Sequence, residues 1–188
     1  MIGNKRLQLI LILFVLAELA CTINVGGPDY PYAPIPVSIE AVDQMKQSIQ
    51  EALARGTDSG QVIFVINETQ MTSFLTFNLQ DQPEPFITNP QVYLRDGQIQ
   101  IYGTAQSGYF IATARIIFTA TADAEGKLVI ELSEADFGPL PVPDGLKEAV
   151  TALVSEAYTG ALGPMATGFR IEGIAIADGM MAITGRIK

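Results

Sequence analysis

Residues 91–105 read QVYLRDGQIQIYGTA, and residues 173–187 read GIAIADGMMAITGRI. In each, an Asp-Gly pair, Asp96-Gly97 or Asp178-Gly179, interrupts a run in which apolar residues alternate with polar or small ones. An Asp-Gly pair between alternating segments is a strong short-range hairpin signal, because a tight two-residue turn needs positive φ at both central positions. The two stretches superpose at an offset of 82 residues, which aligns Asp96 with Asp178, Gly97 with Gly179 and Gly103 with Gly185. Val92, Leu94, Ile99 and Ile101 align with Ile174, Ile176, Met181 and Ile183. A two-residue turn then pairs Leu94 with Ile99 and Val92 with Ile101 on one side of a sheet, and Ile176 with Met181 and Ile174 with Ile183 in the second copy. Gly103 and Gly185 fall on these apolar faces, where a missing side chain permits a bend or a close approach. One template used twice, or local convergence of two hairpins, accounts for the match.

Outward from the hairpins, residues 109–122 (YFIATARIIFTATA) alternate along their whole length. One face carries Phe110, Ala112, Ala114, Ile116, Phe118, Ala120 and Ala122, and the other Tyr109, Ile111, Thr113, Arg115, Ile117, Thr119 and Thr121. The alanines on the first face suit close packing of a helix, or a lipid-sized apolar groove lined by Phe110, Ala112, Ala114, Ile116 and Phe118. Arg115 lies mid-strand on the second face. There it extends its charge to solvent, meets Glu131 on a neighbouring strand, or meets a ligand headgroup. Strands are also expected over 61–66 and 127–133. Helices are expected over 38–55, 68–79 and 144–159, capped by Ser38, Asn67 and Asp144, with Gly56 as the stop of the first. Val42, Met45, Ile49, Ala52 and Leu53 form the stripe of the first helix, and Met71, Phe74 and Leu75 the inward side of the second. The expected fold class is α+β, a mainly antiparallel curved sheet of five to seven strands with about three helices packed on one face.

The N-terminus has a different character. Residues 1–6 (MIGNKR) are basic, residues 7–17 (LQLILILFVLA) are almost wholly apolar, and Glu18-Leu19-Ala20-Cys21 follows. This is the pattern of a secretory signal, and its run of about 11 residues is short for a ~30 Å hydrocarbon core. Ala20-Cys21 resembles the bacterial lipobox, which implies lipidation of Cys21, although Glu18 stands where an aliphatic residue is usual. Cleavage after Ala17 and an uncleaved anchor are the alternatives. The expected division is a signal peptide at 1–20, a lipid-anchored Pro-rich tether at 21–37 and a single domain at 38–188. Pro28, Pro31, Pro34 and Pro36 favour an extended segment, whose 16 residues at ~3.1 Å each reach roughly 50 Å. Tyr30 and Tyr32 pack on the domain or sit at the membrane interface.

Composition excludes several function classes. The chain has 188 residues, no histidine and no tryptophan, and a formal charge of −9. Without residues 1–20, which hold Lys5, Arg6 and Glu18, nine basic and 19 acidic residues remain, a net charge of −10. Such a surface repels nucleic acid at long range, so no nucleic-acid partner is expected. Lacking histidine, the chain has no histidine-based triad and no histidine-ligated metal site. Glu131, Glu134 and Asp136 alternate at a strand end and read as a solvated edge in place of a calcium or acid–base site. Asn67-Glu68-Thr69 matches a glycosylation sequon, read as coincidental beside a bacterial-type leader. No catalytic residue, metal site or cofactor is expected.

Two further segments, VIFVINETQMTSFL at 62–75 and Ala135-Asp136-Phe137-Gly138-Pro139-Leu140-Pro141-Val142-Pro143, together with the leader and the closing hairpin, resemble the YpmS-like and LmeA-like groups of bacterial envelope proteins. The resemblance covers roughly residues 60–188. It implies a relation in shape to tubular lipid-binding domains, in which a curved sheet wraps a long helix, and binding of a lipid or polyprenyl chain at the membrane surface. The resulting expectation is an exported envelope protein, held on the extracytoplasmic face of the cell membrane by its N-terminus, that binds a lipid or other apolar ligand. The alternative is a non-catalytic accessory lipoprotein that docks another envelope protein.

Overall fold

The computed structural model describes residues 22–146, 148, 149, 152 and 169–187. The fold is α+β with a curled, mostly antiparallel sheet. In chain order come β1 (Ile23–Asn24), α1 (Ile39–Ser59), β2 (Gln61–Asn67), α2 (Glu68–Gln80), β3 (Thr88–Arg95), β4 (Gln98–Ser107), β5 (Phe110–Ala122), β6 (Leu128–Asp136), β7 (Phe169–Ala177) and β8 (Met180–Ile187). Two complete helices are described, where about three were expected. The helix expected at 144–159 lies mostly outside the described residues. At its start Leu146 is buried and helical, and the Ala149 N–H donates to the Gly145 carbonyl at 2.8 Å. Seven of the strands match the seven expected segments. The two-residue β1 has no counterpart among them.

The strands form two sheets. In the larger, β3, β4 and β5 are antiparallel neighbours, and the far edge of β5 is shared between β6 and the parallel β1. The smaller sheet has the order β2-β8-β7. Both hairpins keep the register read from their sequences. Leu94 pairs with Ile99 and Val92 with Ile101, while Ile176 pairs with Met181 and Ile174 with Ile183. Asp96 and Gly97 have φ of 54° and 76°, and Asp178 and Gly179 have 50° and 81°. The aligned turns thus share one left-handed geometry. Gly103 and Gly185 sit at close approaches. A Cβ on Gly103 would lie 2.9 Å from Ile87 Cδ1, and one on Gly185 2.6 Å from the Phe169 ring.

The sheets meet at these turns through reciprocal bonds. Gly97 N–H donates to the Ile176 carbonyl at 3.1 Å, and Gly179 N–H donates to the Leu94 carbonyl at 3.0 Å. Applying the 82-residue offset to either bond gives the other. The repeat is therefore also a local pseudo-two-fold contact, in which each hairpin accepts the turn of its mate.

Ser38 caps α1, accepting the Ala41 N–H at 3.1 Å, and Val42, Met45, Ile49 and Ala52 face the core as their spacing predicts. The helix runs past Gly56 to a left-handed cap at Gly60. Gly56 has another role, since a Cβ there would collide with the Val62 side chain. Asn67 caps α2 in a full capping box with Gln70, so its side-chain amide is engaged in the fold.

The inward side of α2 is broader than the sequence expectation. Met71, Phe74 and Leu75 pack against the core and are partly buried, while Gln70, Thr72, Ser73, Thr76 and Leu79 are buried. The reason is the neighbouring strand. The edge of β3 away from β4 lies along α2, and its backbone donors need acceptors. Thr72 Oγ1 accepts the Val92 N–H at 2.9 Å, and Glu68 Oε1, one turn earlier, accepts the Leu94 N–H at 2.8 Å. A helix face spaced i, i+4 thus supplies side-chain oxygens where a neighbouring strand would supply carbonyls.

Candidate functional site

The residues expected to line an apolar groove are split by the fold. Phe110, at the tip of the β4–β5 hairpin, is 47% exposed. Ala112, Ala114, Ile116 and Phe118 are 2%, 1%, 0% and 3% exposed. An empty groove wide enough for an acyl chain would leave its lining atoms open to water; these side chains are enclosed by protein. Across the sheet they align with Ala105, Gly103, Ile101 and Ile99 of β4. The small residues let the chain pack closely over this face.

Arg115 lies on the opposite face. Its guanidinium pairs with Glu134 on β6 and stands 4.0 Å from Asp136, not beside Glu131, which is opposite Thr119. A bulge between Ile117 and Phe118 shifts the β6 register and brings both acids to this side. Partial burial works against the Arg115 charge, but hydrogen bonding with Tyr102 and Glu134 outweighs it, and the pKa sits above the ordinary value. Arg115 Nε is buried and has no hydrogen-bond partner among the described residues. The cation is thus directed to the sheet's own carboxylates.

This outer face is occupied by the chain's own N-terminal segment. Residues 22–37, expected as a spacer, are extended but run across β5, β4 and β3. Val25 N–H donates to the Ile111 carbonyl at 2.9 Å, and Thr113 N–H to the Gly26 carbonyl at 2.9 Å. Gly27 has φ +115° and lies so close to Thr113 that a Cβ would strike its backbone. Gly138 also abuts Gly27, with its own Cβ position 2.7 Å from Gly27 Cα. Further along, Tyr30 packs at a tilt against Tyr102 with ring centroids 5.6 Å apart, and Tyr32 against Tyr93 at 5.2 Å. Tyr93 and Tyr102 meet edge to face at 5.7 Å, and the Arg95 guanidinium lies 5.1 Å over the Tyr32 ring. Of the alternatives for Tyr30 and Tyr32, the structure shows packing on the domain. The strap ends where Ser38 N–H donates to Ser73 Oγ at 3.1 Å.

One polar group joins several elements and belongs to a residue that the sequence reading did not single out as a site. Glu68 opens α2, and its N–H donates to the Gly179 carbonyl at 3.1 Å. Its carboxylate accepts the Leu94 N–H and pairs with both terminal nitrogens of Arg95, the Nη2 bond being 3.3 Å. Glu68 therefore bridges the first hairpin, the second hairpin and α2, and through Arg95 reaches Tyr32 of the strap. Its only sequence signal was a carboxylate in the first turn after an Asn cap. A shallow open cleft of about 620 Å³ lies elsewhere, between the β5–β6 turn and the smaller sheet, lined by residues that include Asp123, Arg170, Glu172 and Arg186. The Arg186–Glu172 pair across it, at 3.0 Å, is exposed. No group of three or more Asp, Glu, His or Cys side chains that could hold a metal is found among the described residues. Cys21 lies outside them, and no described helix is long and apolar enough to cross a membrane. Comparison with protein-family models and with curated proteins gave no match.

Proposed function

We propose that the protein is an exported, membrane-anchored envelope protein that acts as a non-catalytic structural or interaction module at the extracytoplasmic surface. The observation that carries this reading is the strap. From Ile23 onward the segment after the apolar leader is fixed to the sheet by backbone bonds and packing of the tyrosine rings, so an anchor at Cys21 would hold the domain within a residue or two of the bilayer, and an anchor in residues 7–17 would leave only residues 18–22 between. A flexible tether, by contrast, would let it sample roughly 50 Å. The enclosed face around Ala114 favours this accessory role over carriage of a lipid inside the β5 face. The resemblance to the YpmS-like and LmeA-like groups belongs to the same proposal, since it too implies work at the membrane surface without a catalytic motif. Fractionation of cells making the native chain and Cys21→Ser tests the reading. Lipidation predicts that the native chain pellets with membranes and that the variant is released or retains its leader. An unchanged N-terminus with normal retention of the variant identifies the uncleaved anchor instead. A native chain found wholly in a soluble fraction overturns membrane attachment.

A further inference from the structure

We infer that the β4–β5 hairpin tip and the start of the strap form a second, non-covalent membrane contact that lays this end of the domain into the interfacial region of a lipid bilayer. The inference rests on the attachment proposed above and adds to it a surface, an orientation and a depth. β4 and β5 are joined by the two-residue turn Gly108-Tyr109, with Ser107 opposite Phe110 and Gly108 at φ +59°. Tyr109 is 64% exposed and Phe110 47%, and beside them Ile23 is 53% exposed. Ile23 is held there by β1, its N–H donating to the Tyr109 carbonyl at 2.7 Å. Two aromatic rings and an isoleucine therefore share one tip, and the chain enters the domain one residue earlier, at Thr22, just after the leader.

Charge distribution supports the same orientation. In a chain of net charge −9, residues 22–28, 97–114 and 137–143 contain no ionisable acid or base except tyrosine. The strap start, the whole β4–β5 tip and the segment that packs on Gly27 all come from these stretches. The nearest charge along β5 is Arg115, five residues beyond Phe110, about 17 Å away at ~3.4 Å per residue. An acidic protein is repelled by anionic headgroups, and its uncharged end is the one that can approach them. A tyrosine and a phenylalanine side by side suit the headgroup boundary, where an amphipathic ring keeps its hydroxyl wet while the apolar ring is buried. Other exposed apolar side chains, such as Ile63 and Val65 on β2, lie on the smaller sheet, which does not include the strap's entry strand β1.

The absence of tryptophan makes the test direct. The full chain carrying Phe110→Trp, and separately Ile63→Trp, is purified in detergent and reconstituted into phosphatidylcholine vesicles, some with brominated acyl chains. Both positions are exposed, so neither substitution disturbs the core. The expected result is blue-shifted emission from position 110, quenched most by bromines high on the chains, ~5–10 Å into the headgroup–acyl boundary. Position 63 should emit as in water and escape quenching. Water-like, unquenched emission from position 110 in protein that still floats with the vesicles overturns the tip contact and leaves the anchor intact. Equal quenching at both positions overturns the orientation. Failure of the full chain to float at all would mean that the attachment reading itself is wrong.

Discussion

Glu68→Ala is the sharpest test of how the two hairpins are joined. Leu94 is fully buried, and the Glu68 carboxylate is the acceptor for its N–H at 2.8 Å. Truncation leaves that donor without a partner, a loss of about 1–3 kcal/mol for an unmet buried group. The ion pair with Arg95 is partly exposed, with side chains 17% and 27% accessible, so its loss adds at most about 1 kcal/mol. The sum is about 1–4 kcal/mol. For a domain of this size about 1 kcal/mol moves Tm by ~2–4 °C, so a fall of roughly 2–16 °C is expected. Glu68→Gln keeps an oxygen for Leu94 and gives up only the charge, which should lower stability by about 1 kcal/mol. Thermal unfolding of the detergent-solubilised full chain, followed by circular dichroism, measures both. Amide exchange should also quicken at Gly97 and Gly179 together in the alanine variant, because each turn is held by the other. The reasoning fails if alanine and glutamine behave alike, or if alanine lowers stability by less than about 0.5 kcal/mol, the scatter of ordinary surface changes.

Ala114→Phe should destabilise the chain by ~1–3 kcal/mol, because the site is enclosed and a larger ring must displace neighbours; urea unfolding with little or no change in stability would reveal unfilled space there and reopen the lipid-carriage reading. Gly27→Ala should loosen the strap, since it combines a strained positive φ with a clash at the Thr113 backbone, and limited proteolysis should then cut within residues 22–37 well before the sheet is degraded. Burial raises the pKa of Tyr30, and burial together with the neighbouring charges raises that of Tyr93. Their stabilising effect is complete below the unfolded value near 10 and is lost as pH climbs through the folded values. An ultraviolet pH titration should therefore show two tyrosines ionising above the ordinary value near 10, with strap proteolysis accelerating over the same range.

The parts of the fold legible in the sequence are those governed by local rules. Asp-Gly marked both turns because it is one of the few pairs that tolerate two successive left-handed residues, and alternation then set each register without knowledge of the partner. Ser38 and Asn67 were legible as caps because a cap bonds within three residues of itself. What was hidden depends on contacts distant in sequence. Thr72 and Ser73 carried no sequence sign of burial because hydrophobic periodicity assigns burial by polarity, whereas β3 and the strap needed hydroxyl acceptors. For Arg115 the sequence offered solvent, Glu131 or a ligand headgroup and did not point to Glu134, because simple alternation misses the one-residue bulge that turns Glu134 and Asp136 to its side.

The strap shows why the proline pattern misled about reach while being right about conformation. Spaced prolines specify an extended backbone, and the backbone is extended. Whether such a segment floats or packs depends on what its other residues find. Here Tyr30 and Tyr32 find Tyr102 and Tyr93, and Gly26 and Gly27 supply the bare backbone that lets the chain lie against Thr113. The same prolines that would have stiffened a spacer lower the entropy lost when the segment is pinned. Extension, aromatic spacing and glycine placement together convert a tether into part of the wall, and so place the junction with the leader at one defined corner of the domain.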